Sequence, residues 1–322
     1  MSRAILPRSP VAAEPSPRSH SVRRRRLGRR DAGLGLLFLL PLFAGLLVFR
    51  FYAFGYNVWL SFTKAGAFGP PRWIGLDNFR EMFTDELLGV ALVNTFKYCA
   101  FIVPGVVVVS LLCATLMTYR FPGQSVFRAV IFLPAVALPT AMVFLFGWIF
   151  QTQYGIANAA IKAAGGSPVS WFGSATGVTV VVTVVVVFLS FSVPTIVLYA
   201  GMQDIPPDVY EAASLDGAGP VRRFFSITLP LLSPSLFFVV LTTVISTLKL
   251  FDVVYLLLPP DQPAAAKYGI TAVYYYYQLA FYGVGQRGYA SAVSILLFVI
   301  ILAVSLVLFR LQRRFVHYGE DS

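Results

Sequence analysis

Charged side chains inside long apolar stretches are the residues of this sequence most able to do chemistry. Four residues are of this kind: Arg50, Lys97, Lys249 and Asp252. A charge in the interior of a bilayer is costly, so each is a candidate functional site. Lys249 and Asp252 are three residues apart, and on a continuous helix they would share one face and could pair. The pair either stabilises the fold or offers one donor and one acceptor to a polar ligand.

Cysteine and histidine add no further chemistry. Cys99 and Cys113 lie in one apolar stretch, about 21 Å apart along a helix that rises about 1.5 Å per residue, so they cannot form a disulfide with each other. His20 and His317 lie near the two ends of the sequence. These residues cannot form a metal site or a Cys/His catalytic cluster, and we expect no catalytic residue, no metal and no bound cofactor.

The composition indicates a membrane protein. Of the 322 residues, 57% are hydrophobic and 12% are charged, whereas soluble domains carry about 25% charged residues. The net charge of +11 is concentrated at residues 23–30, RRRRLGRR, directly before an apolar stretch. This placement favours a cytoplasmic membrane anchor over a nucleic-acid surface.

Six apolar stretches have the length of roughly 20 residues that a membrane-spanning helix needs. We predict an all-α, polytopic domain over residues 32–315 with its core at 90–310. Its spans are 32–57, 90–118, 127–150, 178–202, 234–258 and 289–309. The first is expected to be an uncleaved span rather than a secretory signal, because no small-x-small site follows it. Residues 1–31 are predicted to be a disordered basic tail, and 316–322 a short second tail.

The basic residues also predict an orientation. The two tails and the segments after the second and fourth spans together hold 16 Lys and Arg residues, whereas the segments after the first, third and fifth hold 6, and most of the excess lies in the tails. Because basic residues concentrate on the cytoplasmic side, both termini are predicted to be cytoplasmic in a multi-pass protein of the inner or plasma membrane.

The predicted cytoplasmic segment between the fourth and fifth spans carries turn and capping residues. Asp208 and Glu211 have the spacing of a capping box and predict the start of a short helix. Gly217 predicts the end of that helix. Pro220 suits the first turn of a second helix, which Pro230 is predicted to end. The small and exposed apolar residues of the first helix suit either a closely docked partner protein or lipid head groups.

The same segment carries a long motif. Glu211-Ala212-Ala213, then Gly217, Ile227 and Leu229-Pro230 at the motif's spacing, resembles the EAA loop of the permease subunits of binding-protein-dependent ABC importers. Further stretches are similar to the maltose-type carbohydrate permeases: WLSFTK (59–64), IGLDNFREMF (74–83), NTFKY (94–98), FRAVIFLP (127–134), LKLFDVVYLL (248–257) and GYASAVSILLF (288–298). The resemblance covers nearly the whole predicted membrane domain.

This resemblance implies a coupling helix that docks on an ATP-hydrolysing subunit. The residues it assigns to that contact are Glu211, Ala212, Ala213, Asp216, Gly217 and Ala218. The implied partners are a second permease in a heterodimer, two ATP-hydrolysing subunits and an extracytoplasmic solute-binding protein, within the lipid bilayer and without nucleic acid. The sequence contains no Gly-x-x-x-x-Gly-Lys-Ser/Thr loop, so ATP and Mg²⁺ are expected on the partner subunit.

The resemblance also implies a carbohydrate pathway. Lys249, Asp252 and Ser190 match positions at or near the sugar in the maltose-type family, and Phe251 and Tyr255 add aromatic faces. We therefore predict half of the pathway for an oligosaccharide or a glycoside. Import of glycerol phosphate or a polyol by the same architecture is the alternative, because Lys249 could meet a phosphate. An ion-coupled secondary transporter is less well supported, because Asp252 is the only carboxylate in the predicted spans.

Two groups near the ends of spans are predicted to anchor the protein at the membrane interface. Arg50 and Lys97 are expected to extend their charges towards water. The run from Tyr274 to Tyr277, with Phe281 and Tyr282, is predicted to form an aromatic belt. Contact with the binding protein is the alternative for this run.

Overall fold

The computed structural model describes residues 29–66, 68–119, 121–259, 265–282 and 285–315. Over these residues the predicted all-α fold is confirmed. The strands β1 (Thr63–Lys64) and β2 (Arg72–Trp73) form one small antiparallel pair. Most of both predicted tails, residues 1–28 and 316–322, lies outside the described residues.

The chain divides into two units, Met1–Phe54 and Gly55–Ser322. The first unit contains α1 (Arg29–Leu46) and a π-helical segment (Leu47–Tyr52). The next helix, α2 (Ala53–Ser61), begins in the first unit and has most of its residues in the second. Helix α1 therefore begins within the predicted disordered tail.

The second unit holds the β1–β2 pair and the remaining helices. These are α3 (Asp77–Glu81), α4 (Glu86–Thr118), α5 (Gln124–Val136), α6 (Pro139–Ile149), α7 (Ile156–Ala163), α8 (Ala175–Ser190), α9 (Ser192–Gln203), α10 (Pro207–Leu215), α11 (Pro220–Arg223), α12 (Leu229–Leu231), α13 (Ser233–Leu248), α14 (Asp252–Leu257), α15 (Ala272–Phe281) and α16 (Arg287–Phe315). A π-helical segment, Phe224–Thr228, joins α11 to α12, and another, Ala265–Gly269, precedes α15.

Membrane-length helices occur in two forms among the described residues. Three are single helical stretches, Leu37–Ser61, Glu86–Thr118 and Arg287–Gln312. Three more are bent pairs: α5 with α6 at 100°, α8 with α9 at 51°, and Pro220–Leu231 with α13 at 70°. If each bent pair crosses the membrane once, the total is six.

The predicted third span is two helices, because Pro139 breaks it. A proline disfavours helical backbone angles for the residue before it. Ala137 and Leu138 accordingly have ψ angles of 149° and 114°. By contrast, Pro104 lies inside the continuous helix α4. A proline therefore did not by itself mark the break in the sequence.

The predicted fifth span is wrong at its far end. Helix α13 ends at Leu248, and Phe251 has φ −135° and ψ −61°, outside the helical region. A new helix of six residues, α14, begins at Asp252. The apolar sequence continues past the end of α13, and this concealed the break.

Helix α4 lies at the centre of the second unit and packs against α8, α9, α13 and α15. Glycine permits the close approach of α4 to α8: a Cβ atom on Gly105 would lie only 2.8 Å from Val187 Cγ2. Near the start of α4, Asn94 Nδ2 donates to the Ile270 carbonyl at 3.1 Å. At its other end, Thr118 lines a small cavity together with Tyr210 of α10. We call these the α15 end and the α10 end of the unit.

Candidate functional site

A cavity of about 450 Å³ lies among α4, α8, α9, α13 and the segment that joins α13 to α14. Its volume is in the range of small-molecule sites, about 300–1,000 Å³. Most of its lining is apolar. The polar and charged residues that line it are Ser190, Thr242, Thr243, Ser246, Thr247, Lys249 and Asp252.

The cavity brings together four of the five residues predicted for a substrate pathway: Ser190, Lys249, Phe251 and Asp252. Contrary to the prediction, Lys249 and Asp252 do not share one face of a continuous helix, because the helix ends between them. Lys249 is the residue that follows α13, and Asp252 is the first residue of α14. An irregular segment, and not a helical repeat, therefore presents these two charges to the cavity.

Lys249 and Asp252 do not pair with each other. Both side chains are exposed, and in the part of the chain that the structure describes neither has an ion-pair or hydrogen-bond partner. Each charge lies at a favourable helix end, the lysine after a C-terminus and the aspartate in a first turn, which stabilises it by about 0.3–1 kcal/mol. The two charges are thus tolerated in place and free to meet a ligand.

Tyr255, the fifth predicted residue, does not line the cavity. Its ring stacks on Phe251, with centroids 5.2 Å apart and 25° between the ring planes. Phe251 therefore connects the cavity to the aromatic residues beyond it.

Sequence reasoning missed a row of hydroxyl groups on α13. Thr243 Oγ1 donates to the Val239 carbonyl at 2.7 Å, and Thr247 Oγ1 donates to the Thr243 carbonyl at 2.8 Å. These bonds use the hydroxyl hydrogens and leave lone pairs on the oxygens as acceptors. The clustering of hydroxyl residues in TTVIST, residues 242–247, was the available signal.

A compact hairpin lies at the α10 end and consists of α10, a turn and the helical stretch Pro220–Leu231; we call it the α10 hairpin. Gly217 has φ +75° and ends α10, as predicted. Its N–H donates to the Ser214 carbonyl at 3.1 Å, and the Ala218 N–H donates to the Ala213 carbonyl at 2.9 Å. These two bonds form a Schellman motif, which needs a left-handed residue at this position.

Side chains tie the two arms of the α10 hairpin together. The Tyr210 and Thr228 hydroxyls lie 3.0 Å apart, and Arg223 Nη1 donates to Ser214 Oγ at 2.8 Å. Ala213 is buried and lines a cavity of about 170 Å³ together with Arg222 and Ile227 of the other arm.

Two details of the predicted hairpin are wrong. The predicted capping box is absent, because Asp208 lies inside α10 and Pro206 occupies the capping position without a side-chain bond. Pro230 does not end the second helix, which reaches Leu231. The π-helical segment before Pro230 shifts the hydrogen-bond register, so the Leu229 N–H donates to the Phe224 carbonyl.

The α10 hairpin exposes most of the residues predicted for coupling. Glu211, Ala212, Asp216 and Gly217 are exposed, and Ala218 is half-buried. Beside them Leu215 is 90% exposed. The structure thus presents a rigid knob with an apolar tip.

Asp85 is a site that sequence reasoning missed. Its Oδ1 accepts from the Leu88 N–H at 3.0 Å and caps α4. Its Oδ2 accepts from the hydroxyls of Tyr275 and Tyr289, both at 2.6 Å. One carboxylate therefore joins α4, α15 and α16 at the α15 end. An acidic pair, Asp85-Glu86, directly before an apolar stretch was the available signal.

These bonds change the pKa values of the groups. Burial by itself would raise the pKa of Asp85, but the hydrogen bonds from Tyr275, Tyr289 and the Leu88 N–H outweigh it and hold the pKa below its usual value of 3.8. Burial, together with the bond to Asp85, raises the pKa of the Tyr275 hydroxyl. At neutral pH the carboxylate is therefore charged and the phenol is protonated.

Lys97 is bound within its own helix, and the extension of its charge towards the membrane interface stays a prediction. Its ammonium donates to Asn94 Oδ1 at 2.9 Å and lies 5.6 Å from the centroid of the Tyr98 ring. The corresponding expectation for Arg50 stays a prediction.

The predicted aromatic belt is wrong for its first two residues. Tyr274 is fully buried and Tyr275 is 8% exposed, both within the main hydrophobic core. The Tyr274 hydroxyl donates to the Leu258 carbonyl at 3.0 Å. Tyr274 and Tyr275 therefore pack inside the protein, and the belt stays a prediction for Tyr276, Tyr277, Phe281 and Tyr282.

The described residues thus form a helical membrane fold with a partly polar cavity among bent helices and a rigid hairpin at one end. Its relatives show that the class of protein is a permease subunit. Residues 106–317 match the family described as binding-protein-dependent transport system inner membrane component. The chain belongs to this family, and the resemblance seen in the sequence is confirmed.

Similar proteins extend over almost the whole chain. The probable ABC transporter permease protein YesP of Bacillus subtilis is 33% identical over 94% of this chain and 97% of its own length. The trehalose/maltose transport system permease protein MalF of Thermococcus litoralis is 32% identical over 89% and 96%. A crystallised bacterial alginate ABC transporter, in complex with its pentasaccharide-bound periplasmic protein, contains a chain of the same fold, with a TM-score of 0.78, 20% identity and coverage of 90% and 97%.

Proposed function

We propose that this chain forms half of the translocation pathway of an ABC importer for a saccharide, either an oligosaccharide or a glycoside. The cavity carries the proposal. Two unpaired charges, Lys249 and Asp252, lie there beside the ring of Phe251 and a row of hydroxyl oxygens. Donors, acceptors and an aromatic face together suit a ligand with many hydroxyl groups. The trehalose/maltose relative supports the same class of substrate.

The proposed orientation puts both termini and the α10 end in the cytoplasm, with the α15 end outside. The basic stretch at residues 23–30 and the pair Arg222 and Arg223 support it, because basic residues concentrate on the cytoplasmic side. The α15 end then faces the binding protein that delivers the substrate.

The α10 hairpin is the proposed contact with an ATP-hydrolysing subunit. Its rigid turn at Gly217 and the exposed Leu215 support this role, since a rigid knob transmits a displacement with little loss. ATP and Mg²⁺ would bind to two such partner subunits. A second permease would complete the pathway.

Reconstitution tests this function. Proteoliposomes that contain this chain, a second permease and two ATP-hydrolysing subunits should accumulate saccharide only under two conditions. ATP must be present inside the vesicles, and saccharide-bound binding protein must be present outside. Trehalose and maltose are the first probes. An excess of glycerol phosphate should not compete with the saccharide. Uptake that ionophores abolish and that needs no ATP would instead identify an ion-coupled transporter and contradict the proposal.

A further inference from the structure

The stacked pair Phe251 and Tyr255 belongs to a continuous group of aromatic rings at the α15 end. We call it the aromatic cluster, and it consists of Phe251, Tyr255, Tyr274, Tyr277, Phe281 and Tyr282. Tyr277 is its hub, with ring centroids 4.9 Å from Phe251, 5.5 Å from Tyr255 and 5.0 Å from Phe281. The cluster links α14 to α15.

Hydrogen bonds hold the aromatic cluster in one arrangement. The hydroxyls of Tyr255 and Tyr282 lie 3.0 Å apart, and the Tyr274 hydroxyl is bonded to the Leu258 carbonyl. A surface that is ordered before binding loses little side-chain entropy when a ligand arrives. The rings therefore form a preorganised platform.

The aromatic cluster runs from the core to the surface. Tyr274 is fully buried, whereas Phe281 is 69% exposed and Tyr282 is 44% exposed. Exposed, contiguous aromatic surface is a common mark of a binding site. Something should therefore contact the outer part of the cluster.

The position of the cluster favours a ligand of the cavity over lipid. Phe251 both lines the cavity and contacts the hub ring of Tyr277. From Phe251 to the exposed Phe281 there are two ring-to-ring steps, of 4.9 Å and 5.0 Å. A ligand that leaves the cavity past Phe251 would meet these rings next.

The chemistry of the cluster indicates a sugar ring. All six of its residues are uncharged, and four of them are tyrosines that place a hydroxyl beside an apolar ring face. A pyranose or furanose ring has the complementary form, with C–H groups on its faces and hydroxyls around its edge. Tyrosine serves such half-apolar, half-polar contacts well.

We propose that Tyr277, Phe281 and Tyr282 form an outer saccharide subsite, which holds one sugar ring while another ring of the same molecule lies beside Lys249 and Asp252. This inference rests on the proposed saccharide function. It adds that the substrate is an oligosaccharide with at least one ring more than the cavity of about 450 Å³ holds, and that the outer rings contact only those further sugars.

The test compares substrate lengths in the reconstituted full transporter with binding protein. The probes are radiolabelled di-, tri- and pentasaccharides of the α-1,4-glucan, α-1,5-arabinan and β-1,4-mannuronan series. Phe281→Leu should lower pentasaccharide uptake about 3- to 10-fold, the effect of losing one aromatic contact, and leave disaccharide uptake unchanged. Phe281→Trp should restore the uptake. Phe144→Leu, at a phenylalanine that is 52% exposed on α6, is the matched control.

Three results would overturn the subsite, and each has a different meaning. If no saccharide of any series is taken up, the proposed function itself fails. If saccharides are taken up and Phe281→Leu changes none of them, the function stands and the subsite is absent. If uptake falls equally at every length and more binding protein is needed for half-maximal ATP hydrolysis, the cluster is a docking face for the binding protein.

Discussion

The α10 hairpin and the cavity treat their polar groups in opposite ways. In the hairpin, the N–H groups after α10 bond to Ser214 and Ala213, and Arg223 bonds across the turn. In the cavity, Lys249 and Asp252 have no partner among the described residues. The hairpin is thereby fixed in one shape, whereas the cavity keeps charges available. A fixed shape suits the hairpin to transmitting a movement from a partner subunit. Available charges suit the cavity to binding and releasing a substrate.

The strongest test of this contrast removes a charge from the cavity. Asp252→Asn or Lys249→Gln should raise the substrate concentration that gives half-maximal uptake by about 10- to 100-fold. The reason is that a hydrogen bond to a charged group contributes about 1.5–3 kcal/mol. The melting temperature should fall by no more than about 1–3 °C, since neither charge has a side-chain partner and only the helix-end contribution of about 0.3–1 kcal/mol is lost. Asp77→Asn, at an exposed carboxylate on α3, is the control. A marked fall in melting temperature would mean that the two residues are structural.

The second test loosens the turn of the α10 hairpin. Gly217→Ala should lower stimulated ATP hydrolysis and uptake by about 5- to 30-fold, because a left-handed alanine costs about 1–2 kcal/mol. Gly219→Ala is a matched control, since Gly219 has φ −67° and both glycines have open space around the added Cβ atom. Equal activity of the two variants would contradict the role given to the rigid turn.

The third test uses Asp85, whose carboxylate accepts three hydrogen bonds, whereas the carboxylate of Asp252 accepts none among the described residues. In Asp85→Asn a single oxygen must serve either the α4 cap or the two tyrosines. We expect a loss of about 1–3 kcal/mol, which lowers the melting temperature by a few degrees. Differential scanning fluorimetry of the purified chain measures it. A change as small as that of Asp252→Asn would remove the distinction between the two carboxylates.

The smallest effect concerns pH. Because the pKa of Asp85 is lowered in the folded protein, its contribution to stability is present above about pH 4 and is lost as the pH falls further. The pKa of Tyr275 is raised, so its contribution is present below about pH 10 and is lost only at higher pH. These groups should therefore cause no change in melting temperature between about pH 5 and pH 9. In Asp85→Asn the fall of the melting temperature at acid pH should be smaller than in the unchanged protein.

Apolar length predicted where helices lie, but it could not predict where they bend. The breaks before Pro139 and after Leu248 lie inside continuous apolar sequence, and local sterics and packing decide them. Gly217 was predictable, because its residue type alone permits the required backbone angle. Asp85 was not found, because its two tyrosine partners lie far along the chain. Local rules therefore recovered the hairpin better than the cavity.

The 70° bend between Pro220–Leu231 and α13 makes these two helices the arms of an angled lever, which meet at Leu232. Leu232 is 1% exposed and packs in a core cluster with Leu198 and Met202. At about 1.5 Å per residue the arm towards Pro220 is about 18 Å long, and the arm towards Lys249 is about 24 Å long. If the two helices rotate about Leu232 as one rigid body, Lys249 moves about a third farther than Pro220 does. The two displacements differ in direction by the angle of the bend.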